Sequence, residues 1–197
     1  MKGSFKGRRP LILAAGLLAA LGLWQLAGAA TIHAKAALAQ VLLQRSWSAS
    51  LAGEAEPRPW PWADTHPVAR IAVPELGIEE IVLAGANGRN LAFGPTHLAG
   101  TAAPGEAGHS ILTGHRDTHF TFLRELAPGQ EIQVQRPDGV WRGYRVVETA
   151  VIDARHARLA AGDGRPSLTL VTCYPFEAAE PGGPLRYLVY AEADARE

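Results

Sequence analysis

An uncharged apolar stretch near the N-terminus constrains how the rest of the chain folds. It reads LILAAGLLAALGLWQLAGAA and follows MKGSFKGRRP, a segment that contains four cations. A helix of this length spans the hydrocarbon core of a bilayer, and cations beside such a helix keep their side in the cytoplasm. We therefore expect a cytoplasmic tail at residues 1–9 and a transmembrane anchor at residues 10–30. The remainder of the chain would then lie outside the cytoplasm.

A cleaved signal peptide is the alternative interpretation of the same stretch. Residues 27–29, Ala-Gly-Ala, resemble a cleavage site. The apolar stretch is long for the core of a signal peptide, and this favours an anchor that is retained.

Residues 31–66 change character in two steps. Residues 31–49 mix the helix-forming residues Ala and Gln with spaced apolar side chains, which predicts a helical stalk. The following GEAEPRPWPWADTHP is rich in Pro and Trp, resists regular structure and indicates a linker. We therefore predict a stalk and linker at residues 31–66 and a separate domain at residues 67–197.

From residue 67 onward, short apolar stretches alternate with turn residues. Examples are VARIAVPELG, HSILTGH, SLTLVTC, PLRYLVY and a strand pair around Pro-Asp-Gly in EIQVQRPDGVWRGYRVVETAVI. THFTFLREL has apolar side chains near helical spacing and predicts a helix of one or two turns. About seven or eight short strands with little helix predict a mostly β domain that forms a closed or nearly closed barrel.

Charge and cysteine content exclude several kinds of site. From residue 63 onward, 12 Arg stand against 17 Asp and Glu, so this region lacks the basic stripe of a nucleic-acid-binding protein. The single cysteine, Cys173, excludes an intrachain disulfide and a cysteine-rich zinc site. The sequence also contains no P-loop and no dinucleotide-binding fingerprint.

Cys173 ends an apolar, β-branched run, and it is either a small core residue or a nucleophile. Side chains alternate faces along a strand, so Thr169, Val171 and Cys173 share one side. If this strand and PLRYLVY pair as a hairpin, Arg186 comes close to Cys173 across the ladder. Arg186 interrupts an apolar run, so it either faces a cleft with a partner or lies at an edge with a solvated head.

A histidine on a loop supplies a second candidate group. His115, in ILTGHRDTHF, follows a predicted strand, and imidazole transfers protons near neutral pH. Any single histidine is otherwise a surface or core residue; His97 and His109 have weaker claims, and spacing does not exclude His119. Asp117 either orients an imidazole or caps the short helix. A thiol, an imidazole and a guanidinium together form a chemically coherent set for acyl transfer.

Three motifs together resemble the sortases, a family of membrane-anchored cysteine transpeptidases. They are TLVTC, the arginine that follows its cysteine by 13 residues, and the upstream GHRDTHFTFLREL. The resemblance covers about residues 67–192 and implies an eight-stranded sortase-type β-barrel. It matches His115, Cys173 and Arg186 to the three catalytic positions, and it implies that Thr172 shapes the site or binds substrate.

The segment TCYPFEAAEPGGPLRY is further similar to the sortases of Gram-negative bacteria, also called class GN. This similarity implies a single-pass protein of the inner membrane whose catalytic domain faces the periplasm. The family's known ligands place no metal-binding set on this chain, and the scattered acidic residues reveal no calcium site.

The resemblance implies a reaction on a membrane-anchored, exported substrate protein. Cys173 would cleave a C-terminal sorting signal through a thioacyl-enzyme, and an amine acceptor would then take the acyl group without any cofactor. One alternative is a cysteine endopeptidase that only hydrolyses the signal, and another is a non-enzymatic anchored β-domain that binds a partner. The L,D-transpeptidases place His and Gly differently around their cysteine, so TLVTC does not fit them.

Overall fold

The fold is known from a computed structural model, which describes residues 8–157, 164–178, 180 and 182–194. One long helix, α1 (Arg8–Leu51), precedes eight strands. The chain divides into two compact units, Met1–Val41 and Leu42–Glu197. Residues 1–7 of the expected cytoplasmic tail lie outside the described residues.

Helix α1 is long and apolar enough from Leu11 onward to cross a membrane, judged by length and composition. Its large apolar side chains are exposed, for example Leu11 at 75% and Trp24 at 78%. The predicted anchor and the predicted helical stalk lie on this one continuous helix. Residues 11–51 contain no proline, so nothing removes a backbone donor from the helix. A membrane anchor and a signal sequence both meet this description.

Eight strands close into a barrel, which confirms the predicted mostly β, eight-stranded sortase-type fold. In chain order they are β1 (Pro67–Val73), β2 (Ile78–Ala84), β3 (Thr96–His97), β4 (His109–Thr113), β5 (Glu131–Gln135), β6 (Trp141–Asp153), β7 (Ser167–Cys173) and β8 (Leu185–Ala193). Around the barrel the order is β1-β2-β3-β4-β7-β8-β6-β5. The β2–β3 and β4–β7 pairs are parallel, and the other neighbours are antiparallel.

Alternate side chains of the strands fill the barrel. Leu168 and Leu170 of β7 pack there with Val189 of β8, and all three are fully buried. The predicted helix in THFTFLREL is a 3-10 helix, Thr121–Glu125, whose Leu123 completes the same core. The period of two in SLTLVTC therefore separates a core face from an outer face, as the sequence predicted.

The segment predicted as a linker has no regular structure, but it is packed. The Ser46 hydroxyl donates to the carbonyl of Pro57, and Thr65 Oγ1 donates to the Ala84 carbonyl at 2.8 Å. The Trp60 and Phe93 rings pack edge to face with a centroid distance of 5.0 Å. These contacts hold Pro57 against α1, and Trp60 and Thr65 against β2 and the loop that follows it.

The last turns of α1 also belong to the second compact unit. Leu43 and Trp47 are fully buried against Ile81 and Leu83 of β2. This unit therefore begins at Leu42. The division into a stalk with linker and a domain from residue 67 stays a prediction.

Gly114 joins β4 to the loop that carries His115 and leaves no room for a side chain. A Cβ at this position would lie 2.6 Å from a ring carbon of Phe120. Phe120 is itself fully buried in the close-packed barrel core, so its ring has little space to move away.

Replacing Gly114 with alanine should therefore destabilise the domain. We expect Gly114→Ala to lower the free energy of unfolding by about 1–3 kcal/mol, because the added methyl overpacks the core. Chemical denaturation of the purified chain measures this. Gly88→Ala is the matched control, because a Cβ there meets nothing within 4 Å. Equal stabilities of the two variants would contradict the steric argument.

Candidate active site

Strand β7 lies between β4 and β8 and forms hydrogen-bond ladders with both. Because β4 is parallel to β7 and β8 is antiparallel, the ends of β4 and β7 and the start of β8 meet at one edge of the barrel. Cys173 is the last residue of β7 and lies at this edge. It is partly exposed, and its side chain follows the outer face of the strand.

Arg186 lies directly opposite Cys173 in the β7–β8 ladder. The sequence predicted this pairing from the hairpin, and the structure confirms it. Arg186 Nη1 donates to the carbonyls of Gly183 and Leu185, both at 2.8 Å. In the part of the chain that the structure describes, no carboxylate forms an ion pair with Arg186. Its remaining N–H groups are therefore available to an acceptor near the thiol.

His115 reaches the same edge through the parallel β4–β7 ladder. Thr113 pairs with Val171, and the next residue, Gly114, still donates its N–H to the Val171 carbonyl at 3.2 Å. Continuing this register by two residues brings His115 to the level of Cys173. The His115 carbonyl accepts the Phe120 N–H at 3.0 Å, which shapes the loop, and the imidazole is exposed.

Thr172 faces away from the thiol, toward the interior. It is only 2% exposed, and its hydroxyl donates to the Gly114 carbonyl at 2.7 Å. This bond connects the residue before Cys173 to the residue before His115.

Arg116 is a residue of this site that sequence reasoning missed. It directly follows His115, and it is buried, with 5% of the side chain exposed. Its guanidinium donates to three carbonyls in the segment after Cys173, at 2.7 Å to Pro175, 2.6 Å to Ala178 and 3.2 Å to Glu180. Only its position beside a candidate histidine could have drawn attention to it in the sequence.

The other candidate histidines contact groups outside this edge. His97 Nε2 lies 2.9 Å from the Ala102 carbonyl oxygen, and burial lowers the pKa of this ring below its ordinary value. His109 Nε2 is 2.8 Å from Thr169 Oγ1, on the Cys173 face but four residues before the thiol.

His119 and Asp117 are also engaged by neighbouring charged groups. His119 Nδ1 is 3.1 Å from a carboxylate oxygen of Glu80. Asp117 accepts from Arg116 Nε at 3.3 Å. The 3-10 helix that follows has no side-chain cap, so Asp117 does not serve as one.

A cavity of about 580 Å³ extends along the outer face of β6, β7 and β8. Residues that are paired across two strands point to the same face. Each such pair forms a row on this surface, and successive rows lie at increasing distance from the thiol. The row of Cys173 and Arg186 is followed by Val171 with Leu188, then by Thr169 with Tyr190. The cavity is a groove lined by residues of these strands and of the turn after β6, namely Glu148, Ala150, Ile152, Asp153, His156, Ala157, Thr169, Leu188 and Tyr190. Ile152 pairs with Arg186 across the β6–β8 ladder, so the groove reaches the row of Cys173 and Arg186 through this side chain.

Within residues 8–157, 164–178, 180 and 182–194, no group of three or more His, Cys, Asp and Glu side chains could hold a metal ion. That the reaction needs no cofactor stays a prediction.

Comparison with known proteins gives relatives with the same architecture. Sortase D of Bacillus subtilis (strain 168) is 28% identical over 123 residues, which are 62% of this chain and 61% of that protein. The chain thus spans less than two thirds of the length of this relative. The crystal structure of sortase C-1 from Actinomyces oris is 32% identical with a TM-score of 0.58, over 66% of this chain and 76% of that one. A Clostridium perfringens sortase D5 transpeptidase is 25% identical with a TM-score of 0.57, over 66% and 79% of the two chains.

These relatives do not support the assignment to the Gram-negative class GN. They are Gram-positive sortases of types D and C. The similarity of TCYPFEAAEPGGPLRY to class GN therefore stays a prediction. The match that decides the family is broader, since the model of the sortase domain matches residues 71–194, more than half of the chain. The chain belongs to the sortase family.

Proposed function

We propose that this protein is a cysteine transpeptidase that cleaves a C-terminal sorting signal and transfers the substrate protein to an amine acceptor. One observation carries the proposal. The only cysteine lies on the outer face of the barrel, in register with Arg186 and beside the loop that starts with His115. A buried core cysteine would lie on the opposite face of β7, with Leu168 and Leu170.

The first half of the reaction forms a thioester. The Cys173 sulfur attacks the carbonyl carbon of the scissile peptide bond, and the thiol proton passes to His115. The carbonyl oxygen becomes an oxyanion in the tetrahedral intermediate. His115 then protonates the departing amine, the C–N bond breaks, and the substrate remains as a thioacyl-enzyme.

The second half transfers the acyl group. An incoming amine attacks the thioester carbonyl and gives its proton to His115. The C–S bond breaks, the new amide leaves, and the thiolate recovers a proton from His115. One amide bond is exchanged for another, so the balance requires no oxidant, reductant or nucleotide.

Arg186 is suited to stabilise the oxyanion. Its two hydrogen bonds to backbone carbonyls, at Gly183 and Leu185, hold the guanidinium in one orientation. Donors fixed in advance and aimed at developing charge cost no reorganisation during the reaction. A partly buried location strengthens the interaction relative to water.

Thr172 acts, in this proposal, by positioning rather than by touching substrate. Its hydroxyl is buried and already donates to the Gly114 carbonyl, so it holds the two loop starts at a fixed separation. The substrate-binding assignment made from the sequence is not tested by this geometry, and a kinetic comparison separates the two roles.

The groove along β6, β7 and β8 provides a place for the segment of the sorting signal that precedes the scissile bond. Its apolar residues Leu188 and Ala150 pair with each other, and Leu188 also pairs with Val171, in the row next to that of the thiol. The polar row that contains Thr169 lies about 13 Å from Cys173, the length of four strand residues. The groove thus has the length for a few extended residues.

Membrane attachment by α1 would serve this reaction. An anchored enzyme meets an anchored substrate in two dimensions, which raises effective concentration without tighter binding. The cations before the apolar stretch favour a cytoplasmic N-terminus. We therefore place the catalytic domain on the extracytoplasmic face of the cytoplasmic membrane, as a single-pass protein whose partners are an anchored substrate protein and an amine acceptor.

Removing the thiol should abolish processing. We expect Cys173→Ala to reduce peptide cleavage to background while the thermal unfolding midpoint stays close to that of the wild type, because the side chain is partly exposed. A positional peptide library incubated with the purified chain, with and without added amines, and analysed by mass spectrometry measures both the cut site and the acceptor.

The outcomes of this experiment separate the rival functions. Amide products formed only with wild type and added amine support transpeptidation. Hydrolysed products alone, unaffected by amines, indicate an endopeptidase. Equal behaviour of Cys173→Ala and wild type would contradict any thiol-based enzyme. Since Cys173 is the only cysteine, iodoacetamide labelling reports the active fraction of each sample.

Replacing the guanidinium at Arg186 tests the oxyanion proposal. Arg186→Lys keeps the charge but loses the planar fork, and we expect kcat/KM to fall by about 10²–10³-fold, the usual cost of an oxyanion donor. Steady-state kinetics on the cleaved peptide measure it. Arg145→Lys, at an exposed position of β6, is the control. A loss shared equally by both variants would point to general charge effects instead.

The hydroxyl of Thr172 has its own test. Thr172→Val keeps the shape but removes the bond to Gly114, so we expect kcat to fall about tenfold with KM nearly unchanged. Thr172→Ser retains the hydroxyl and should preserve most activity. A rise in KM with constant kcat would instead support direct substrate binding.

A further inference from the structure

We propose that Arg116 is a positioning residue that fixes the loop after the nucleophile strand against the loop of His115, and thereby sets the geometry between the imidazole and the thiol. We call the described residues between β7 and β8, which are 174–178, 180 and 182–184, the β7–β8 loop. The inference rests on the proposed function for its catalytic consequence, but its structural part stands on contacts alone.

The Arg116 guanidinium contacts the β7–β8 loop through three backbone carbonyls. Nη1 donates to Pro175 at 2.7 Å, and Nη2 donates to Ala178 at 2.6 Å and to Glu180 at 3.2 Å. Nε donates to the neighbouring Asp117 carboxylate at 3.3 Å. All three nitrogens are therefore engaged.

The guanidinium of Arg116 is a buried charge, because only 5% of the side chain is exposed. Asp117 is 70% exposed, so water screens its carboxylate and the ion pair with Arg116 contributes little. A buried guanidinium is costly unless its donors are satisfied. The loop carbonyls supply that compensation, so the loop and the arginine are ordered together.

The position of Arg116 in the chain gives this contact its consequence. Arg116 is bonded covalently to His115, and Pro175 lies two residues after Cys173. The same loop continues to Gly183 and leads into Leu185, the first residue of β8, and the carbonyls of these two residues accept from Arg186. One guanidinium therefore joins the segments that carry all three proposed reactive groups.

Two further sets of contacts hold the loop in place. The Phe176 and Tyr187 rings pack edge to face with a centroid distance of 5.2 Å, and Tyr174 stacks on Tyr187 with a centroid distance of 6.2 Å. The Thr121 hydroxyl donates to the Arg116 carbonyl at 2.9 Å, which anchors the other end of the contact. A loop that is ordered before binding lowers the entropic cost of holding a peptide beside the thiol.

Lysine cannot reproduce this arrangement. Its ammonium is a compact charge with three donors on a flexible stem, whereas the arginine fork reaches separate carbonyls in one plane. Arg116→Lys should therefore keep the fold and weaken the contact with the loop carbonyls, and Arg116→Met should remove this contact.

The experiment compares Arg116→Lys, Arg116→Met and the control Arg124→Met in the full chain in detergent. Arg124 is an exposed arginine of the following 3-10 helix. A glutamate-specific endoprotease probes the β7–β8 loop, with cleavage after Glu177, which precedes Ala178, followed by mass spectrometry. Peptide kinetics are measured beside it, and kcat is normalised to the fraction of Cys173 that iodoacetamide titrates.

We expect Arg116→Met to be cut in this loop at least about tenfold faster than wild type, since three charge-assisted hydrogen bonds are lost. We expect kcat per titrated thiol to fall by about a hundredfold, as for a misplaced catalytic group. Arg116→Lys should show both effects in smaller degree, and Arg124→Met should show neither. The Lys variant keeps the test decisive if the Met variant does not fold.

Unchanged protection of the loop in both Arg116 variants would overturn the inference. So would an exposed loop with undiminished kcat, or a loss of activity explained entirely by fewer titratable thiols. Wild type could show no transfer activity while loop protection still depends on Arg116. In that case the positioning of the loop by Arg116 is supported and the proposed function fails.

Discussion

The hydrogen-bond ladders on the two sides of β7 determine where every proposed reactive group lies. The antiparallel ladder with β8 places Arg186 opposite Cys173, and the parallel ladder with β4 leads His115 to the same edge. A slip of one residue in either ladder would move its side chains to the other face. The buried alternation of Leu168 and Leu170 prevents such a slip, so the barrel core, rather than the site itself, maintains the register.

Beyond the ladders, two buried polar contacts connect the loops that extend from this edge. Thr172 bonds the carbonyl of Gly114, and Arg116 bonds the carbonyls that follow Cys173. Both contacts use backbone acceptors, whose positions vary less than those of side chains. A rigid barrel that presents reactive groups on short, tied loops is a common way to combine stability with chemistry. The groove on the same face then gives an extended substrate a defined approach.

Contacts within a hairpin could be predicted from the sequence, whereas contacts between segments far apart in the chain could not. The Cys173–Arg186 pair followed from strand alternation and a hairpin, both of which are local rules. The role of His115 came from family resemblance, since the pairing of β4 with β7 joins segments 58 residues apart. Arg116 was missed because a charged residue in a loop normally faces solvent, and the carbonyls that bury it are 59–64 residues away. The contacts that pack the predicted linker before β1 could not be predicted, because Pro and Trp content does not reveal tertiary contacts.

The position of β7 inside the sheet also limits how a peptide can be recognised. Ser167–Val171 is paired with both β4 and β8, so the backbone of this part of the strand has no open edge. Recognition by β-augmentation, in which a guest strand extends a sheet, is therefore blocked along β7 up to Val171. A guest segment must therefore lie on the outer face of the strands and be recognised through its side chains and shape. Selectivity would then depend on a few surface residues of this outer face, which can diversify without any change to the barrel fold.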